Sequence, residues 1–165
     1  MGLFSFLKGS GKEDLKKKEA EIAAKQAIDQ ANAAAQQAVI HAQKVLWLES
    51  IVQNLDIPVT DLSIHLEGDT ITVNGSVATQ AEKEKIVLAL GNLNGIAVVD
   101  DQLVAETIED ESSFYEVKSG DSLSKIAKAY YGDPMKYPAI FEANKPMLSD
   151  PDKIYPGQTL RIPKI

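Results

Sequence analysis

The sequence predicts an α+β protein: an N-terminal Ala-rich helix, then an αββαβ unit, then a smaller βααβ unit. Three observations carry that expectation. An alanine-, lysine- and glutamine-rich stretch with no glycine or proline runs from residue 12 to Pro58. Period-two apolar segments and a capping box follow it within residues 60–104. A polar acidic stretch ending near residue 113 then separates a second set of glycine- and proline-punctuated segments.

In chain order, residues 12–55 read as one long helix. Ala20, Ala23, Ala24, Ala27, Ala31, Ala33, Ala34, Ala35, Ala38 and Ala42 sit among strong helix formers. Its first part is weakly amphipathic, with Leu15, Ile22 and Ile28 widely spaced, so it buries little and is expected to be solvated or to self-associate through residues 12–40. Val45, Leu48, Val52 and Leu55 form a true core stripe. Leu62, Ile64 and Leu66 alternate with Ser63 and His65 as in a half-buried strand, and Gly68-Asp69 turns it into a second strand through Ile71 and Val73. Asn74-Gly75 is expected to end that strand. Thr79 and Glu82 make a capping box, opening a helix to about Leu90 with Ile86, Leu90 and Leu93 on one side. Gly91 and Gly95 bracket its exit, and IAVVDDQLV gives a third strand.

Composition narrows the function classes. The chain has 165 residues, 17 Lys+Arg against 24 Asp+Glu, and no cysteine. Absence of cysteine removes a disulfide scaffold, a cysteine-ligated zinc finger and a thiol nucleophile. Residues 41–110 hold 3 basic and 12 acidic side chains, a net −9, whereas residues 1–40 and 111–165 each carry +1. That field repels phosphate, so no nucleic-acid partner is expected, and it attracts cations. The start MGLFSFLKGSGK lacks a secretory apolar core, Phe6 stands where myristoylation needs Ser or Thr, and no apolar run is long enough for a transmembrane segment. A cytoplasmic location is expected.

Enzymatic chemistry finds no foothold. His41 and His65 are the only histidines, without ligand-spaced Cys, Asp or Glu. No G-x-S-x-G turn accompanies His65, and Asp100 and Asp101, adjacent on a strand, point to opposite faces.

Two family resemblances follow. LSIHLEGDTITVNGSVATQAEKEKI and NGIAVVDDQL, with Gly75 and Gly95, resemble the BON domain across residues 41–107. Residues 108–113 read as linker. Residues 114–165 resemble a LysM module, carried by Tyr115, Val117, the Ser119-Gly120-Asp121-Ser122-Leu123 turn, Ile126, Ala127, Tyr131-Gly132, Ile140, Asn144, Pro156-Gly157-Gln158, Leu160, Ile162 and Pro163. Within it, Gly120 permits a tight turn, Asp121 is expected to cap the following helix, and Pro156-Gly157 fits a type II turn. The LysM resemblance implies an N-acetylglucosamine glycan groove, with Gly120, Asp121, Ser122 and Leu123 facing Ile154, Tyr155 and Pro156. Most of these positions also build the fold, so packing or partner docking is the competing reading.

A BON domain followed by a LysM module behind such an N-terminus resembles the small cytoplasmic potassium-binding proteins of bacteria. This implies a potassium-responsive binding protein in which the BON domain takes K+ and the LysM module supports the bound state. The Ala-rich stretch departs from the compact form of that family. On physical grounds, a large monovalent ion suits several neutral carbonyl oxygens, and free carbonyls concentrate at helix C-termini. Residues 91–96, GNLNGI, hold that position, so the carbonyls of Gly91, Leu93 and Ile96 are candidate ligands. The apolar tip Leu3, Phe4, Phe6 and Leu7, broken from the helix by Gly9-Ser10-Gly11, is expected to dock there and add the carbonyls of Leu7 and Ser10. The alternative is an envelope accessory module binding peptidoglycan glycan or phospholipid.

Overall fold

The computed structural model describes residues 11–107 and 110–165, with side chains from residue 20 onward. Two units compose it, residues 1–43 and 44–165. Helix α1 spans Gly11–Gln53. Every side chain from Ala20 to Gln43 is exposed, including Ile22, Ile28, Val39 and Ile40. The alanine-rich stretch therefore contributes helix propensity but no core, as its sparse apolar spacing predicts. None of the described helices is long and apolar enough to cross a membrane.

The second unit opens with the last turns of α1, where Leu48 and Val52 are buried and Val45 and Leu55 pack beside them. They cover one face of a three-stranded sheet made of β1 (Thr60–Glu67), β2 (Thr70–Thr79) and β3 (Val98–Thr107), in the order β1-β2-β3. Strands β1 and β2 are antiparallel, and β2 and β3 are parallel. The parallel pair needs a crossover, supplied by helix α2 (Gln80–Gly91). Alternation places Ile64, Leu66, Ile71, Val73, Val77 and Leu103 in the core with Ile86 and Leu90 of α2. The capping box is present: the Glu82 N–H donates to Thr79 Oγ1 at 3.2 Å and the Thr79 N–H to Glu82 Oε2 at 3.0 Å.

One expectation is corrected. Strand β2 does not end at Asn74-Gly75 but continues to Thr79. Gly75 holds φ +147 opposite a register shift between Thr60 and Ser63, and a Cβ there would lie 2.8 Å from Val59 Cγ1. The glycine thus lets β1 approach closely at a bulge rather than turning the chain out of the sheet.

The remaining elements are β4 (Ser113–Glu116), α3 (Leu123–Tyr131), a 3₁₀ turn (Pro134–Lys136), α4 (Tyr137–Ala143) and β5 (Thr159–Ile162). Strands β4 and β5 pair antiparallel, so the expected βααβ order stands. Val117, Leu123, Ile126, Ala127, Ile140, Leu148, Leu160 and Ile162 form this module's own core. A second correction concerns α3. Its N-cap is Ser122, whose Oγ accepts the Lys125 N–H, while Asp121 instead ties the preceding turn. The Pro156-Gly157 turn forms with Gly157 at φ +87 and the Gln158 N–H on the Tyr155 carbonyl at 3.1 Å.

Candidate functional site

The segment leaving α2 is built from two glycines and two asparagines. Asn92 is the C-cap, its N–H reaching the carbonyls of Leu88 and Leu90. The Leu93 N–H returns to Leu90 O at 3.3 Å and the Ile96 N–H to Leu93 O at 3.2 Å. Gly95, at φ +90, makes this last turn accessible. The Ala97 N–H then joins Asp69 O at 2.8 Å, fixing the segment against the β1–β2 turn. Leu93 and Ile96 pack their side chains on the core, which anchors the backbone between them.

Of the three carbonyls singled out from the sequence here, Leu93 O has one lone pair engaged by Ile96. Those of Gly91 and Ile96 take no backbone N–H from a described residue. A cleft of about 210 Å³ beside the segment is lined by Lys44, Trp47, Leu48, Leu66, Gly68, Asn94, Gly95 and Ile96. Trp47 is 55% exposed on its rim. Leu7 and Ser10 lie outside the described residues. No group of three or more His, Cys, Asp or Glu among the described residues is placed to hold a metal. The donor chemistry at this segment is carbonyl oxygen, which suits a large, weakly hydrated cation rather than a transition metal.

The LysM positions divide differently. Leu123 is buried and Ile154 packs against the same core, so their side chains build the module. Gly120, at φ +85, and Ser122 serve the turn and the helix cap. Asp121 Oδ2 accepts the Tyr115 hydroxyl at 2.7 Å and the Lys118 N–H at 2.8 Å. The Lys118 N–H, with the Tyr115 hydroxyl second, holds the Asp121 carboxyl below its ordinary range, and the same hydrogen bond raises the Tyr115 phenol. Beyond the end of β4, Val117 exchanges backbone bonds with Gly157 and Gln158, the residues that follow the second candidate segment. Tyr155 and Pro156 are exposed.

Four polar residues join the two modules or finish β5, and of these sequence reading had singled out only Asn144, as a LysM position. Asn92 Nδ2 donates to Leu88 O at 2.9 Å and to Thr159 O of β5 at 3.0 Å, with Met147 Sδ at 3.2 Å as a weak third acceptor. The Thr159 N–H answers at 2.8 Å to Asn92 Oδ1. Two residues further, Arg161 exchanges both backbone groups with buried Asn144 at 2.8 Å. Arg161 Nε also donates to Glu84 Oε2 of α2, a pair only 10% and 5% exposed. Burial pushes the Glu84 carboxyl up, but hydrogen bonds from Arg161, Ser112 and Gln80 outweigh it and leave it below the ordinary value. The available signal was the chain's sole arginine, set between Leu160 and Ile162 in a strand.

The comparisons agree with this architecture. The BON domain model matches residues 48–107 and the LysM domain model residues 115–163. "Potassium binding protein Kbp" of Escherichia coli O6:H1 is 54% identical over 103 residues, covering 62% of this chain and 69% of that protein. The chain belongs to this BON–LysM family. An "Uncharacterized protein" of Deinococcus radiodurans is 34% identical over 127 residues, 70% of this chain. The match spans about half of that relative, 49% of its length. Within this BON–LysM protein, the carbonyl-rich segment belongs to the BON part, and Asn92 and Glu84 carry it to the LysM part.

Proposed function

We propose that this chain is a non-enzymatic, cytoplasmic potassium-binding protein. The ion is held by backbone carbonyls of Gly91, Leu93 and Ile96. One observation carries the choice of ligand: 54% identity to a relative whose name is potassium binding protein. The location is supported by the geometry after α2, where Gly91 and Gly95 border the segment and the carbonyls of Gly91 and Ile96 take no backbone N–H from a described residue. The net −9 of residues 41–110 favours any cation nearby, and neutral oxygens favour one that sheds water easily. The LysM module supports the bound state by packing on the helix that ends in the site. An ion that binds only the ordered segment stabilises it by RT ln(1 + [L]/Kd).

The test is a backbone-amide NMR titration in potassium-free buffer. Potassium should shift resonances of residues 91–97 to saturation, and sodium at equal concentration should shift them less. An unresponsive segment, or equal response to both ions, would overturn the proposal.

A further inference from the structure

Asn92 occupies an unusual double position. Its backbone is the second residue of the carbonyl-rich segment, between Gly91 and Leu93, while its side chain is bound to a strand of the other module. The carboxamide acts as one residue of an additional β-strand: its oxygen accepts the Thr159 N–H at 2.8 Å and its nitrogen donates to Thr159 O at 3.0 Å. The same nitrogen donates to Leu88 O at 2.9 Å, so in the docked arrangement the side chain also touches the last turn of α2. Asn144 gives β5 the same pattern two residues on, at Arg161, but wholly from within the LysM module. The outer edge of β5 is therefore finished by two asparagines, one from each module. Only the first is attached to the segment in which the carbonyls of Gly91 and Ile96 take no backbone N–H from a described residue.

We propose that Asn92 is a positioning residue that couples occupancy of the 91–96 segment to docking of β5. This deepens the potassium reading and rests on it. An ion drawing the carbonyls of Gly91, Leu93 and Ile96 together fixes the backbone on both sides of Asn92. A fixed backbone leaves the carboxamide one orientation, the one that pairs with Thr159. Without the ion, the two glycines release the segment, and the carboxamide samples orientations that miss Thr159. Coupling is reciprocal, so a docked β5 also raises affinity for the ion.

Native-state hydrogen exchange of the full chain, with potassium or with sodium only, tests this. The Thr159 amide reports the Asn92 bond itself, and the Arg161 amide is an internal control because its acceptor is Asn144. Potassium should slow exchange at Thr159 by about tenfold or more while leaving Arg161 nearly unchanged, since two neutral hydrogen bonds are worth on the order of tenfold in an equilibrium constant. Asn92→Ala should abolish the potassium effect at Thr159 and weaken apparent potassium affinity by roughly the same factor. Asn92→Asp keeps the acceptor for the Thr159 N–H and should restore part of the effect. Equal Thr159 protection with and without potassium, in a chain whose 91–97 amides do respond to the ion, overturns the coupling alone. An unresponsive segment overturns the potassium reading as well. An Asn92→Ala chain that binds potassium as tightly as the parent also refutes the coupling.

Discussion

Glu84→Leu tests how much the buried ion pair holds the two modules together. The substitution leaves the Arg161 guanidinium, whose side chain is 10% exposed, without its carboxylate. It also removes the acceptor of the Ser112 N–H, bound at 2.9 Å, and of Gln80 Nε2 at 3.1 Å. Stranding one member of a buried pair costs about 3–5 kcal/mol, and solvent screening at 5–10% exposure does little to reduce that. With a urea m-value of roughly 2 kcal/mol/M for a chain this small, the unfolding midpoint should fall by about 2 M. Arg161→Met should do nearly the same from the other side. The double variant should lose far less than the sum, since two apolar side chains of similar volume replace a pair whose desolvation was costly. Urea unfolding of all four chains, followed by far-UV circular dichroism, gives the coupling energy. Additive losses, or a single-variant loss below about 1 kcal/mol as at exposed pairs, would refute the claim that this contact is dry. The pH dependence has a fixed sign. Because the folded-state Glu84 carboxyl titrates below its ordinary 4.5, its contribution is complete above that value and is lost as pH falls through the lowered one.

Three other outcomes are expected. Gly75→Ala should destabilise the BON part by more than about 1 kcal/mol, because its φ of +147 and the 2.8 Å approach to Val59 both oppose a side chain; thermal unfolding reads this. Tyr115→Phe removes a donor to Asp121, so the Asp121 carboxyl should titrate closer to its ordinary value in a carbon-detected NMR pH series. Deleting residues 12–40 should leave the unfolding free energy within about 0.5 kcal/mol of the parent in urea unfolding, since the described side chains there are all exposed. Sedimentation of the same chain reads the self-association expected of that stretch, as a fall in mass beyond the deleted residues.

Local signals in the sequence were strong where one residue type leaves few choices. The Thr79–Glu82 box, the Pro156-Gly157 turn and the Val45–Leu55 stripe all stand where periodicity and capping rules put them. Gly75 misled, because a glycine after a short apolar alternation is the same symbol for a turn and for a bulge. Only the pairing partner separates the two, and that is a non-local fact. Asp121 missed its role by one position for a related reason: adjacent Asp and Ser are both good caps, and the Tyr115 hydroxyl decides which one is free for the helix. The contacts between modules left little trace, beyond the sole arginine set in an apolar strand. Asn92 meets Thr159 across 67 residues and Glu84 meets Arg161 across 77, and neither leaves a periodic trace. The place where α2 ends was legible, since the capping box sets its start and Gly91 and Gly95 mark its exit without any tertiary information.

The asparagines on β5 have a counterpart on β3. There the Leu103 N–H is taken by Asp101 Oδ1 at 3.0 Å and the Leu103 carbonyl by Lys83 Nζ at 2.7 Å. On β1 the register shift near Thr60 and the left-handed Asp61 bend the outer strand away from a straight ladder. Sheet margins are where one chain most readily templates onto another. Here side chains have already taken several of the places that a foreign strand would need. Margins filled in this way leave fewer unpaired backbone groups for a second chain, which opposes the edge-to-edge pairing that starts cross-β stacking.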